Sequence, residues 1–386
     1  MEFLRGAIQP YAWGSPTAIP DLLGTPATGE PQAELWLGAH PVAPATVERD
    51  GRWQRLDAVI AADPVGELGV EVASRFDGQL PFLLKVLAAV SPLSLQAHPD
   101  EVHARAGHQR EEAAGLAMGA PNRIYKDPHH KPELICALTP FDALCGFRPV
   151  PATLDLLDAV ATRGLRPFAA ELAAAPGPNG LRTVLGQLLT VAPGDRGLLA
   201  DEVAASCAAH DGPWHPETTA IARIAGWYPG DIGVVIALLL NFVRLQPGQA
   251  LYLGAGNVHA YLDGVGVEVM ANSDNVLRGG LTPKHIDVPE LMDVVDFTPL
   301  ADPIVPPLES LVGCTYPTPA PEFQLTRLDL EGHDLAGQCA WPAIALCTAG
   351  DVSSLRRGQS AFLRAGSEWH FQGTGTVFLA TVGSLA

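Results

Sequence analysis

Lysine is nearly missing from this chain: four of its 24 basic side chains are lysine, namely Lys85, Lys126, Lys131 and Lys284. Such a skew follows base composition, but the positions carry more. Where arginine is the default cation, a retained lysine marks a place that needs a compact ammonium rather than a planar fork. Lys85, Lys131 and Lys284 are read this way, with Lys126 the weaker case. Positive charge is short overall. A formal charge of −18 disfavours nucleic acid or an anionic membrane surface as partner. Long apolar runs are also lacking. The longest, DIGVVIALLL from Asp231 to Leu240, is about half the roughly 20 residues a bilayer span needs. MEFLRGAIQP lacks the apolar stretch and cleavage site of a signal peptide, so a cytoplasmic location is expected. The six cysteines have no CxxC spacing and read as reduced, buried thiols.

What is present is a hydrophobic, turn-rich chain of 386 residues, 47% apolar, with 39 glycines and 35 prolines. That length suggests two or three domains. Up to about Leu144, short apolar strands (LPFLLKVL, SPLSLQAH, PELICAL) alternate with turns around one helical stretch, DEVHARAGHQREEAAGLAMG. From Phe147 to about Trp227, alanine- and leucine-rich segments with helical periodicity take over, punctuated by GPNG and PGDRG. Strands then return in ALLLNFVRLQPGQALYLGAGNVHAYL. TPLADPIVPPLE reads as a proline-rich linker, and EFQLTRLDL, AIALCTAG, SAFLRAG and TVFLATVG as a last β-region. The expected division is a discontinuous β-domain (1–146 and 231–300), a helical insertion (147–230) and a C-terminal β-domain (301–386). Both β-regions have the turn spacing of a sandwich or barrel.

SLQAHPD places Ser94, Gln96 and His98 at every second position, one face of a strand. A solvated strand face is the default explanation; half of a metal site is the sharper one. Glu133 sits in the apolar run ELICAL, where a lone carboxylate is costly to bury, and shares a face with Lys131. His259 ends ALYLGAGNVHAYL. Gln96, His98, Glu133 and His259 together would suit a divalent ion, zinc first, because neutral imidazoles and one carboxylate match its preferences. Spacing alone leaves both readings open.

QPYAWGS, AELWLGAHP, LPFLLKVL, SLQAHPD, HKPELICAL and NVHAYLDGVGVEVMANSDNVLRGGLTPKHID run through nearly the whole chain. In that order they resemble the type I phosphomannose isomerases. The resemblance implies a mainly β fold: a cupin (jelly-roll) catalytic domain, an α-helical subdomain and a C-terminal β-domain. It also implies one Zn2+ per chain on Gln96, His98, Glu133 and His259, and a sugar-phosphate substrate isomerised between aldose and ketose through a cis-enediol. Position by position, Arg278 matches the principal active-site arginine, Asp274 and Glu268 match acidic groups of substrate handling and proton transfer, and Lys131 would sit beside the metal. Ser94, Lys85 and Lys284 match a phosphate-contacting set.

Trp13, Trp36 and His40 fall in matched segments but read as packing. His129 and His130 are candidates for ring opening. His333 and His370 lack companion ligands, so no second metal is expected. A single chain could perform such a reaction as a monomer. Two other readings compete: a cupin oxygenase, disfavoured by the amide ligand and the basic set, and a non-catalytic sugar-phosphate sensor.

Overall fold

The computed structural model describes residues 1–353 and 355–384, which build two antiparallel sheets and a block of helices. The architecture is mainly β, a cupin-type domain with further elements added. The central path of the 11-stranded first sheet runs in space from Ile304–Val305 through Ala250–Leu253, Glu133–Ala137, His259–Ala271, Phe82–Ala89 and Glu34–Gly38 to Ala7–Gln9. Strands Phe141–Phe147 and Leu95–Ala97 pair with the beginning of His259–Ala271, and Leu277–Gly280 pairs with Leu95–Ala97.

The 13-residue strand His259–Ala271 pairs with Leu95–Ala97 and Phe141–Phe147 at its start and with Phe82–Ala89 and Glu133–Ala137 further on, two layers of the first sheet, because it turns a corner. Register shifts between Tyr261 and Asp263, and Gly264 follows at φ 122°. A Cβ at Gly264 would lie 2.7 Å from the Pro140 carbonyl oxygen, so glycine alone fits there.

Strand alternation then sorts the side chains. Phe82, Leu84, Val86 and Ala88 pack outward with Leu35, Leu37, Val267 and Val269 against Tyr316, Phe362 and Phe378 of the second sheet. The intervening Lys85, with Glu34, Trp36, Glu133 and Glu268, takes the opposite, interior face. Leu95 and Ala97 pack into a core shared with Leu156, Leu185 and Ile221 of the helical block, which turns Gln96 the other way.

The helices of that block, Val150–Val160, Arg166–Ala174, Pro178–Leu189, Pro193–Ala209 and His215–Trp227, each carry proline in their first turn. No helical N–H partner is lost there. Ala237–Leu239, read from sequence as strand, form a 3-10 turn, and the strand starts at Leu240. The sheets do not follow a boundary at residue 300. Glu2–Arg5, Thr46–Arg49 and Arg52–Arg55 belong to the ten-stranded second sheet, where Phe3 pairs with Ala361. Ile304–Val305, inside the expected linker, pairs back to Ala250–Leu251. No helix among the described residues is long and apolar enough to cross a membrane.

Candidate active site and metal centre

Three of the four expected metal ligands converge. His98, Glu133 and His259 offer donor atoms within 4.8 Å of one another, and all are buried, at 0%, 2% and 0% exposure. Glu133 Oε2 stands 3.4 Å from both His98 Nε2 and His259 Nε2. Among the described residues, none of these three atoms has a hydrogen-bond partner. Buried polar atoms are nearly always satisfied, so three orphans aimed at one point mark the place of a cation. Both imidazoles are held for ligation from behind: Nδ1 of His98 donates to the Asn275 carbonyl at 2.7 Å and Nδ1 of His259 to that of Asn257 at 3.0 Å. This leaves each Nε2 lone pair free. Burial, with Lys131 beside it, pushes His98 down to about 4. Burial works against the Glu133 anion, yet Lys131 and His98 outweigh it and hold the carboxyl well below its usual value. Gln96 is half-buried and stands directly opposite His259 in one register and Arg278 in the other, so its amide shares their face.

The SLQAHPD reading changes in one respect: only Leu95–Ala97 is strand. Ser94 and His98 flank it, Ser94 half-buried and His98 fully buried.

Lys131 Nζ lies 2.7 Å from Glu133 Oε1, the oxygen turned away from the imidazoles. One row further along the interior face, Trp36, Lys85 and Glu268 are register partners across three strands. Lys85 Nζ is 3.4 Å from Glu268 and 3.8 Å from Glu34. Burial disfavours its charge, but Glu34, Glu268 and Glu133 outweigh that and hold the ammonium above its ordinary value. The Tyr261 hydroxyl donates to Glu268 Oε1 at 2.8 Å, and Trp36 Nε1 donates to Glu34 Oε2 at 2.6 Å. Glu268 is raised, chiefly by burial and then by the neighbouring carboxylates against the pull of Lys85.

The lysines therefore divide otherwise than expected. Lys85, placed with Ser94 and Lys284 by resemblance, is buried between carboxylates. Lys284 stands exposed near Arg278 and Lys126; burial lowers it first, then those two cations. Among the described residues, Arg278, Lys284 and Lys126 form no ion pair with a carboxylate, although the chain carries 42. Arg278, half-buried, is lowered by desolvation. Asp274 pairs with His40 Nε2 at 3.6 Å rather than with Arg278.

Sequence reasoning passed over Glu34, Trp36, His40, Tyr261 and Asn275 as participants. Trp36 and His40 do pack, with ring centroids 4.8 Å apart, but Trp36 also donates to Glu34 and His40 stands 3.6 Å from Asp274. His130 is bound to Glu322 Oε1 at 2.8 Å, turned from the metal cluster toward the second sheet's domain.

The family described as phosphomannose isomerase type I, catalytic domain, matches residues 1–150. Mannose-6-phosphate isomerase of Escherichia coli K12 is 40% identical over 378 residues, covering 95% of each chain. The human enzyme of that name is 34% identical, over 85% of this chain and 82% of its own. A crystal structure of mannose 6-phosphate isomerase from Salmonella typhimurium, bound to fructose 6-phosphate and zinc, superposes with a TM-score of 0.92 at 38% identity, over the full length of both chains.

Proposed function

The chain belongs to the type I phosphomannose isomerases, and from that premise we propose how its own residues interconvert mannose 6-phosphate and fructose 6-phosphate. The observation that carries the reading is the meeting of three orphaned ligand atoms, on His98, Glu133 and His259, beside a buried carboxylate with a raised pKa. These donors suit zinc, with the Gln96 amide as fourth ligand. When bound, the ion supplies Lewis acidity toward the oxygens on C1 and C2 of the open-chain sugar.

The remaining chemistry is assigned to the protein. Arg278, Lys126 and Lys284, with Ser94 at their edge, hold the phosphate, since these cations lack carboxylate partners and an anion completes them. Glu268 takes the C2 proton of the aldose, leaving the cis-enediolate; the O2 hydroxyl proton passes to O1 through the cis-enediol, and Glu268 returns its proton to C1 to give the ketose. Its raised pKa brings it nearer the working pH of a general base. Tyr261 orients its carboxylate, and Lys85 offsets its charge without leaving the Glu34–Glu268 pair. Lys131, fixed on Glu133, directs a positive N–H donor at the developing enediolate oxygen. Asp274, set by His40, accepts from a sugar hydroxyl. All these groups come from one chain, so a monomer suffices.

The test is conversion of mannose 6-phosphate to fructose 6-phosphate, lost on chelation and restored by zinc. Binding without turnover, or equal turnover in metal-free protein, would refute the reading. Nothing in the structure favours the oxygenase or sensor.

A further inference from the structure

Asn275 is fully buried, at 0% exposure, and carries no charge that chemistry would use, yet it touches both halves of the site. Its backbone carbonyl accepts from His98 Nδ1 at 2.7 Å, fixing one metal ligand. Its side chain faces the segment 126–129. There Oδ1 accepts from the Lys126 N–H at 2.7 Å and the Asp127 N–H at 3.3 Å. Nδ2 donates to the Asp127 and His129 carbonyls, both at 2.8 Å, and to Asp127 Oδ1 at 3.3 Å. Two N–H donors on one side and two carbonyls on the other allow only one orientation of the amide. Neighbouring residues reinforce the brace. Ser273 Oγ donates to the His129 carbonyl at 3.2 Å, and the Asp274 N–H donates to Asp127 Oδ2 at 2.9 Å.

Segment 126–129 has no helix or strand of its own to hold it. It leads from Lys126, in the cation group with Arg278 and Lys284, directly to Lys131 and Glu133 at the metal cluster. We infer that Asn275 is a positioning residue for the isomerisation: one amide sets the span between the phosphate cations and the metal ligands, and so the length of sugar phosphate the site accepts. The inference rests on the function proposed above.

Asn275→Ala removes both amide ends but keeps the carbonyl that orients His98. Expected results are zinc content equal to the unaltered chain and a KM for mannose 6-phosphate raised at least about tenfold, the worth of any one of the four backbone groups that lose the amide, with kcat reduced by a smaller factor. A residue that merely stabilised the fold would lower the melting temperature and leave this split unmoved. The second readout is a double-mutant cycle. In a Lys126→Ala background the same substitution should change KM by about threefold or less, because the residue through which it acts is gone. If Asn275→Ala does not fold, Asn275→Asp serves: it keeps the acceptor and the size but turns a second oxygen toward the Asp127 and His129 carbonyls, and KM should again rise. An unchanged KM, or an equal fold-change in both backgrounds, overturns the inference alone. Absence of turnover in the unaltered chain overturns the functional reading and this inference with it.

Discussion

Replacing Tyr261 by phenylalanine removes one oxygen and tests whether Glu268 is the base. The hydroxyl is buried and donates to Glu268 Oε1 at 2.8 Å, while Lys85 holds the other carboxylate oxygen at 3.4 Å. The ring packs edge-on against Phe141, with centroids 5.3 Å apart, a contact phenylalanine keeps. A hydrogen bond to a buried charged group contributes about 1.5–3 kcal/mol, and about 1.4 kcal/mol corresponds to one pKa unit. This donor favours the anion, so its loss raises a pKa that burial has already raised. Glu268 acts deprotonated in the proposed step. The acid limb of the kcat/KM profile should therefore move to higher pH by about one to two units, with rates converging on the parent's at alkaline pH and zinc content unaltered. The assay is mannose 6-phosphate turnover across pH, parent and variant side by side. A uniform loss of rate with the acid limb in place would refute the reasoning and remove Glu268 from the role of base.

Arg278→Ala should raise KM about tenfold to a hundredfold, the worth of one charge-assisted hydrogen bond to the phosphate; full activity would end its assignment. Lys284→Ala should act mainly on KM, by about tenfold, with a difference that shrinks as salt rises because Lys284 is exposed; an effect confined to kcat would contradict phosphate binding. Glu322→Gln should act on stability instead. Burial lowers His130, but Glu322, Glu101 and Asp100 outweigh it and raise its pKa. Stabilisation from a raised histidine is complete below its unfolded value and disappears as pH climbs through the folded one. The variant should therefore lose about 1 kcal/mol on the acid side of that window and little on the alkaline side, read as melting temperatures at about pH 6 and about pH 9. Equal losses at both would show that charge on His130 is not involved.

The lysines show where legibility ended. Scarcity drew attention to Lys85, Lys131 and Lys284; the first two are buried against Glu34, Glu268 and Glu133 and the third is exposed near Arg278, and that grouping needed three dimensions. Alternation in LPFLLKVL shows that Lys85 parts from Leu84 and Val86. It does not show that the face it enters is the one Glu34 and Glu268 also enter. That follows from pairing with strands 49 residues before and 183 after it. Lys126 had the opposite difficulty. PNRIYKDPHH has no periodicity to read, and its placement is set by an amide 149 residues away. A loop held by long-range side-chain bonds leaves no local pattern behind it.

Tyr261 and Glu268 carry the same point into a single strand. Seven residues apart, they belong on opposite faces of any regular strand, since alternation has a period of two. Here they touch, because the register shift after Tyr261 and the turn at Gly264 add the odd step that reverses parity. The block from Asn257 to Asp287 identified both His259 and Glu268 by resemblance, but a regular strand would have put one of them outside. The glycine that sequence reading passed over in DGVGVEV is what lets one strand carry a candidate metal ligand at its start, beside Leu95–Ala97, and the proposed base near its end, beside Phe82–Ala89. Gly264 touches no substrate and holds no proton, yet the site cannot close across the two layers without the bend it permits.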